Sequence, residues 1–335
     1  MSYLHSCAGR RALAAVHALA AAAFLAATGV AAAQSDYPNR TVQILVPFAA
    51  GGPSDIVARS IAAKLQAASG QTVVVENKPG ANGAVAIGEV LLRPADGYYL
   101  LVASIGPFAI NSALYPNLPY DPLRDLAPIS LAVVTPNVLV ANKRFGPNNV
   151  AELIDYAKHN PDKVTYGSSG VGSSEHLSIE LFKYETKTTG AHVPYRGGAA
   201  SLQDVLAGHI DLAFQNLGSV SQYIKSGELK ALGVTSKVRD PALPDVPTMA
   251  EQGYPGVEMT AWHAVMARKG LPSDVVKKLN ALVVSALNSP DVKERFAQQG
   301  FQVVADTPSE YEAFQKAEIE RWKKVVQAAG IKLDF

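Results

Sequence analysis

The 335-residue chain has one cysteine, Cys7, which excludes a disulfide framework within the chain and a thiolate zinc site. It lacks an excess of charge of either sign. Its 30 Lys and Arg stand against 29 Asp and Glu, and a formal charge of +1 gives no electrostatic footprint for nucleic acid. The phosphate loop G-x-x-x-x-G-K-[ST], the zinc motif H-E-x-x-H and the nucleophile elbow G-x-S-x-G are all absent. Seven histidines are dispersed without ligand spacing. No nucleophile–base pair, metal-ligand spacing or complete cofactor motif is evident, so a binding protein is expected in preference to an enzyme. What remains is an ordinary globular mix, 48% hydrophobic and 18% charged, which excludes a disordered or fibrous chain.

The N-terminus departs from that average. Arg10 and Arg11 precede an Ala-rich apolar run, Ala12 to Val30, which ends in Ala31-Ala32-Ala33 before Gln34. These are the parts of a secretory signal peptide, assigned here to residues 1–33. The segment contains no Asp or Glu, so its removal leaves 302 residues with 28 basic and 29 acidic side chains, net −1. Cys7 leaves with it. The same run is long enough to be a retained membrane helix, but the polar sequence directly after an A-x-A site favours cleavage. No later segment has the length and apolarity of a membrane span, and an exported, periplasmic protein is expected.

From Thr41 onward, short β-branched runs alternate with helical patterns. Thr41–Phe48 reads as a buried strand, and Val57, Ile61 and Leu65 then fall on one helical face. Strands are predicted at Thr72–Glu76, Tyr98–Ser104, Val138–Ala141, Val164–Tyr166, Ala191–Pro194, Asp211–Phe214, Leu229–Thr235 and Phe301–Val304. Helices are predicted at Ala84–Leu92, Val150–His159, His176–Tyr184, Ala199–Ala207, Ser273–Asn288, Asp291–Gln299 and Pro308–Ala329. Alternating units of this kind indicate an α/β architecture with largely parallel sheets, and the length suits two domains.

Two Gly/Ser loops at strand–helix junctions carry the most chemistry. The first runs from Pro47 through Phe48, Ala49, Ala50, Gly51, Gly52, Pro53 and Ser54 to Asp55. Its glycines let backbone approach a ligand closely, and Ser54 or Asp55 can cap the following helix. N–H groups at a helix start bind anions without Lys or Arg; the same residues also fit a tight turn with an ordinary cap. The second loop, Tyr166 to His176, holds Gly167, Gly170 and Gly172 with Ser168, Ser169, Ser173 and Ser174, a neutral cup rich in donors or a flexible turn. Gly170-Val171-Gly172 begins a dinucleotide fingerprint, but Glu175 occupies its third glycine position. His176 suits a helix-start or supporting position better than a catalytic one.

At these residues the chain resembles the Bug family, the periplasmic solute receptors of tripartite tricarboxylate transporters. The resemblance runs from about Tyr37 to Gly330. It is carried in order by Tyr37-Pro38-Asn39-Arg40, the first loop with Asp55, Val75 to Gly83, Pro94 to Tyr98, Leu118 to Pro122, Pro136 to Val140, His192 to Gly197 and Pro244 to Thr248. It implies a type II periplasmic-binding-protein fold: two α/β lobes joined by two crossing strands, closing like a flytrap over a ligand cleft. Lobe one would be about 36–136 plus 258–335, and lobe two about 137–257. The two loops would face each other and grip a carboxylate through amides, hydroxyls and water.

Residue by residue, the resemblance places Phe48, Ala50, Gly51, Gly52, Ser54 and Asp55 in the first gripping loop. Ser168, Ser169, Gly172, Ser173 and His176 fall in the second. Ser104 and Asn137 fall at strand ends near the cleft, Tyr195 and Arg196 on a third loop, and Phe214, Asn216 and Trp262 in its walls. Tyr195, Phe214 and Trp262 equally suit core packing, and Arg196 a solvated charge. Two departures stand out. Gln215 occupies a strand position where family members commonly carry Asp, which favours a more anionic ligand or one lacking an amino group. His263 follows the tryptophan in place of an aromatic and adds a donor, a charge near pH 6.5, or merely a buried structural ring.

The partners implied are a small carboxylate (a di- or tricarboxylate, an amino acid or an aromatic acid) and a membrane permease, with the receptor a monomer and no cofactor or nucleic acid. The alternative is a ligand sensor for a two-component signalling system.

Overall fold

The computed structural model describes residues 37–328 and 331, so the predicted signal segment lies outside the described residues. Strand β1 (Val42–Val46) leads through the first Gly/Ser loop into helix α1 (Pro53–Ser69), followed by β2 (Val73–Asn77), α2 (Ala84–Leu91) and β3 (Tyr99–Ser104). A π-helical turn at Gly106–Ile110 runs into the short α3 (Asn111–Leu114), and β4 (Leu126–Asn142) crosses the molecule. Next come α4 (Val150–His159), β5 (Thr165–Ser168), α5 (Ser174–Thr186), β6 (Ala191–Pro194), α6 (Gly198–Ala207), β7 (Leu212–Asn216), α7 (Leu217–Lys225) and β8 (Leu229–Val234). The chain then returns through β9 (Thr260–Arg268), α8 (Ser273–Asn288), α9 (Pro290–Gln298), β10 (Gln302–Val303) and α10 (Pro308–Ala328).

Burial explains the local choices. β1 is apolar at nearly every position because a parallel strand covered on both faces has no solvent side to mark with polar residues. The Val57, Ile61 and Leu65 face of α1 is buried, and the helix stops at Gly70 in a left-handed conformation (φ 70°). In α8, Val275, Leu279, Val283 and Leu287 form a buried stripe at four-residue spacing.

The strands order as β2-β1-β3-β9-β4-β7-β5-β6, with β8 and β10 also paired to β4. β2, β1 and β3 are parallel, as are β7, β5 and β6. The strand β4 belongs to both halves. From Leu126 to Pro136 it pairs with β9, and from Asn137 onward with β7 and β8. Its first half and the whole of β9 escape prediction. Pro128 and two register irregularities, after Pro128 and after Leu131, remove the signature of a long strand.

The chain crosses between the halves a second time after β8, and the crossings are clipped together. Thr235 Oγ1 accepts the Asn137 N–H at 2.9 Å and donates to the Met259 carbonyl at 2.6 Å. The Met259 N–H returns to the Thr235 carbonyl at 3.1 Å. Asn137 Nδ2 donates to Ser178 at 2.9 Å, while its Oδ1 accepts from Asn216 Nδ2 at 2.5 Å. A T235V variant keeps the shape but leaves the buried Asn137 N–H without that acceptor. It should unfold in urea with a stability lower by about 1–3 kcal/mol, and an unchanged midpoint would show the clip to be dispensable.

Candidate functional site

The first loop is built by Asp55. Its Oδ2 accepts the Gly51 N–H and Arg59 Nε, both at 2.9 Å, and its Oδ1 accepts Asn77 Nδ2 at 2.9 Å. Burial opposes its charge, but the hydrogen bonds from Arg59, Gly51 and Asn77 prevail and hold its carboxyl below the usual range. Gly51 bends through φ +83°, and Gly52, not Ser54 or Asp55, occupies the cap position of α1. No side chain caps that helix start. Its first N–H groups therefore carry partial positive charge with no side-chain acceptor.

The second loop is held from behind. Ser173 caps α5, accepting the His176 N–H at 3.2 Å, and Ser168 Oγ lies 2.7 Å from His192 Nε2. The Gly172 N–H donates to His176 Nδ1 at 3.2 Å, which requires a bare nitrogen there. Burial, with His192 and Lys183 nearby, pushes the His176 ring down to about 3, so it is neutral and suits that role. A Cβ on Gly106 would meet the Gly172 carbonyl oxygen at 2.9 Å, so backbone packs on backbone where this loop meets the first half.

Between the loops lies a cavity of about 30 Å³, room for about one or two waters. Of the predicted site residues it brings together Phe48, Gly52, Ser54, Ser104, Ser169 and Asn216. It adds Ala49, Pro53, Ser174 and Glu175, along with His263 and the start of α6, Gly197-Gly198-Ala199. That third junction also lacks a side-chain cap, and its Gly197, at φ +128°, lies beside Ala49 of the first loop. The pair Gly197-Gly198 was the sequence signal for it, overlooked beside Tyr195 and Arg196.

Other expected residues stand elsewhere. Ala50, Gly51, Asp55, Asn137, Ser168, Gly172, Ser173 and His176 do not line this cavity, and most of them belong to the loops around it. Tyr195 and Arg196 line a neighbouring cavity of about 520 Å³, which shares Phe48 and Ser169 with the first. Trp262 and Phe214 are not walls. Successive strand residues face opposite ways, so with His263 at the cavity Trp262 points into the core. There it stacks with Phe108 at 6.4 Å and donates to Glu318 at 3.0 Å, while Phe214 packs edge-on against Phe182 at 6.2 Å.

The cavity lining includes no Lys or Arg. His263 supplies no charge, because burial pushes its ring down to about 3; its Nδ1 lies 2.9 Å from Ser54 Oγ. The titratable group that matters is Glu175, which sequence reasoning used only to reject a nucleotide motif. It is 4% exposed, and its Oε2 accepts from Ser169 at 2.8 Å and from Ser174 at 3.1 Å. Burial pushes its carboxyl above the usual range despite those donors. Among the described residues no cluster of metal ligands occurs, and no helix is long and apolar enough to cross a membrane.

Residues 57–331 match the family model described as the tripartite tricarboxylate transporter family receptor. The protein BugT of Bordetella pertussis is 39% identical over 313 residues, spanning 92% of this chain and 96% of BugT. The solved periplasmic binding protein BugD superposes with a TM-score of 0.85 at 38% identity, covering 88% of this chain and 99% of BugD. The R. palustris protein Rpa4515, solved with adipate, likewise gives 0.85 at 38% identity, over 88% of this chain and 99% of that one. The α/β periplasmic-binding fold implied by the sequence motifs is the fold observed.

An Asp55→Ala variant removes the acceptor of the Gly51 N–H, of Arg59 and of Asn77. We expect a loss of about 1–3 kcal/mol at neutral pH by urea unfolding. The folded pKa lies below the unfolded value of about 3.9, so Asp55 contributes fully above that pH. Its contribution is lost as the pH falls through the lower folded value, and the gap between variant and parent should narrow in acid. A gap constant down to pH 2 would contradict this role.

Proposed function

The chain belongs to the tripartite tricarboxylate transporter receptor family, and from that premise we propose that it captures a small carboxylate-bearing solute in the periplasm and delivers it to a membrane permease. The observation that carries this reading is the pair of helix starts, α1 and α6, both without side-chain caps and both at one cavity that no Lys or Arg lines. Such ends attract an anion through the partial charges of their N–H groups. Ser54, Ser104, Ser169 and Asn216 add neutral polar groups around it. The adipate-bound relative supports a carboxylate as the ligand class.

The proposed contacts are Phe48, Gly52, Ser54 and Ser104 on one lobe and Ser169, Gly198 and Asn216 on the other. Lobe one comprises 36–136 with 258–335, and lobe two 137–257, a division supported by the change of partners of β4 between Pro136 and Asn137. A cavity of about 30 Å³ does not admit a multi-atom acid, so the lobes part for entry and close over the ligand about Asn137 and Thr235. The ligand then favours the closed form by its differential affinity for it. Residues 1–33 direct export and are removed, and the mature protein acts as a monomer.

Thermal-shift measurements on the mature protein against mono-, di- and tricarboxylates, amino acids and matched amines test this function. At a hundred times its dissociation constant, a bound ligand adds about 2.7 kcal/mol of stability. A rise in melting temperature of several degrees with at least one carboxylate, and none with the amines, is expected. Stabilisation by no carboxylate would overturn the reading.

A further inference from the structure

Glu175 is out of place in a cavity built for an anion. It lines the cavity, is 4% exposed, and has no ion pair among the described residues. Two hydroxyls, Ser169 and Ser174, donate to the same oxygen and favour its charged form, while burial without a counter-charge opposes it, so a cation brought beside it would be the group that keeps it ionised. The other titratable side chain at the cavity is the neutral His263; His176 stands behind the loop, and Arg196 lines the neighbouring cavity. A plain dicarboxylate here would place like charges side by side in a dry site, which is strongly unfavourable unless one takes up a proton.

The cavity is bipolar. The uncapped starts of α1 and α6 supply a positive end, and Glu175 a negative one. We infer that the ligand of this chain is an amino acid, its carboxylate held by the two helix starts and its ammonium group by Glu175. This rests on the carboxylate-receptor function and narrows its substrate class. It also reverses the expectation drawn from Gln215. A Cβ on Gly198 would lie 3.0 Å from Gln215 Oε1 and 4.0 Å from Glu175 Oε1, so both side chains border one point.

Calorimetry with the mature protein tests this, using the twenty common L-amino acids and, for each, the same acid without its amino group. The tightest binder should carry the amino group and bind at least tenfold more tightly than its amino-free counterpart. Binding should take up no proton when measured in buffers of different ionisation enthalpy. Glu175→Gln, checked for folding by its melting temperature, should weaken the amino acid at least tenfold and leave the amino-free acid unchanged or tighter. Preference for an amino-free acid, with uptake of about one proton, would overturn the inference while leaving the receptor function intact. Failure of every acid in both sets to bind would overturn both.

Discussion

The strand β4 is the constraint on which the rest depends, since one continuous segment belongs to two sheets and fixes how they meet. Up to Pro136 its partner is β9; from Asn137 it is flanked by β7 and β8. Parallel strands carry their helix-leading loops at one end, so sharing β4 brings the junctions after β1, β5 and β6 to one place. The contacts there are backbone to backbone, as between Gly106 and Gly172, and a side chain at such positions would separate the loops. The Asn137–Thr235–Met259 clip sits where the two crossings run side by side. Asn137 also accepts from Asn216, so the hydrogen bonds that join the crossings reach a residue of the cavity lining.

Electrostatics follow from that arrangement. With no Arg or Lys in the lining, positive potential at the cavity comes from aligned peptide dipoles, which keep their direction and need no counter-ion. Glycine at both caps is what leaves those N–H groups uncovered. The acidic side chains divide by location into two roles. Asp55 faces backward and spends its charge on the shape of the first loop. Glu175 faces the cavity and accepts from the Ser169 and Ser174 hydroxyls, with no ion pair among the described residues.

Much of this was legible in the sequence wherever the signal is local. The buried parallel strands, the amphipathic stripe of α8 and the two Gly/Ser junctions could be read from residue type and spacing. Ordered motifs, from Tyr37 to Thr248, carried the fold. What was hidden depends on tertiary placement. The first half of β4 contains Pro128 and irregular register, and β9 lacks the alternation of a half-exposed strand because it is covered on both faces. Trp262 reads as a cavity wall until the period of the strand shows that it and His263 cannot face the same way. Glu175 reads as a failed glycine in a motif, because nothing local announces that a carboxylate at a helix start will be buried.

Under the proposed function, backbone dipoles and not cationic side chains hold the ligand's carboxylate. A crystal structure with the most stabilising acid addresses it most directly. Carboxylate oxygens within about 3 Å of backbone N–H groups at the starts of α1 and α6 are expected, between Ser54 and Asn216. A carboxylate paired instead with Arg196 in the neighbouring cavity, with both helix starts unengaged, would contradict it.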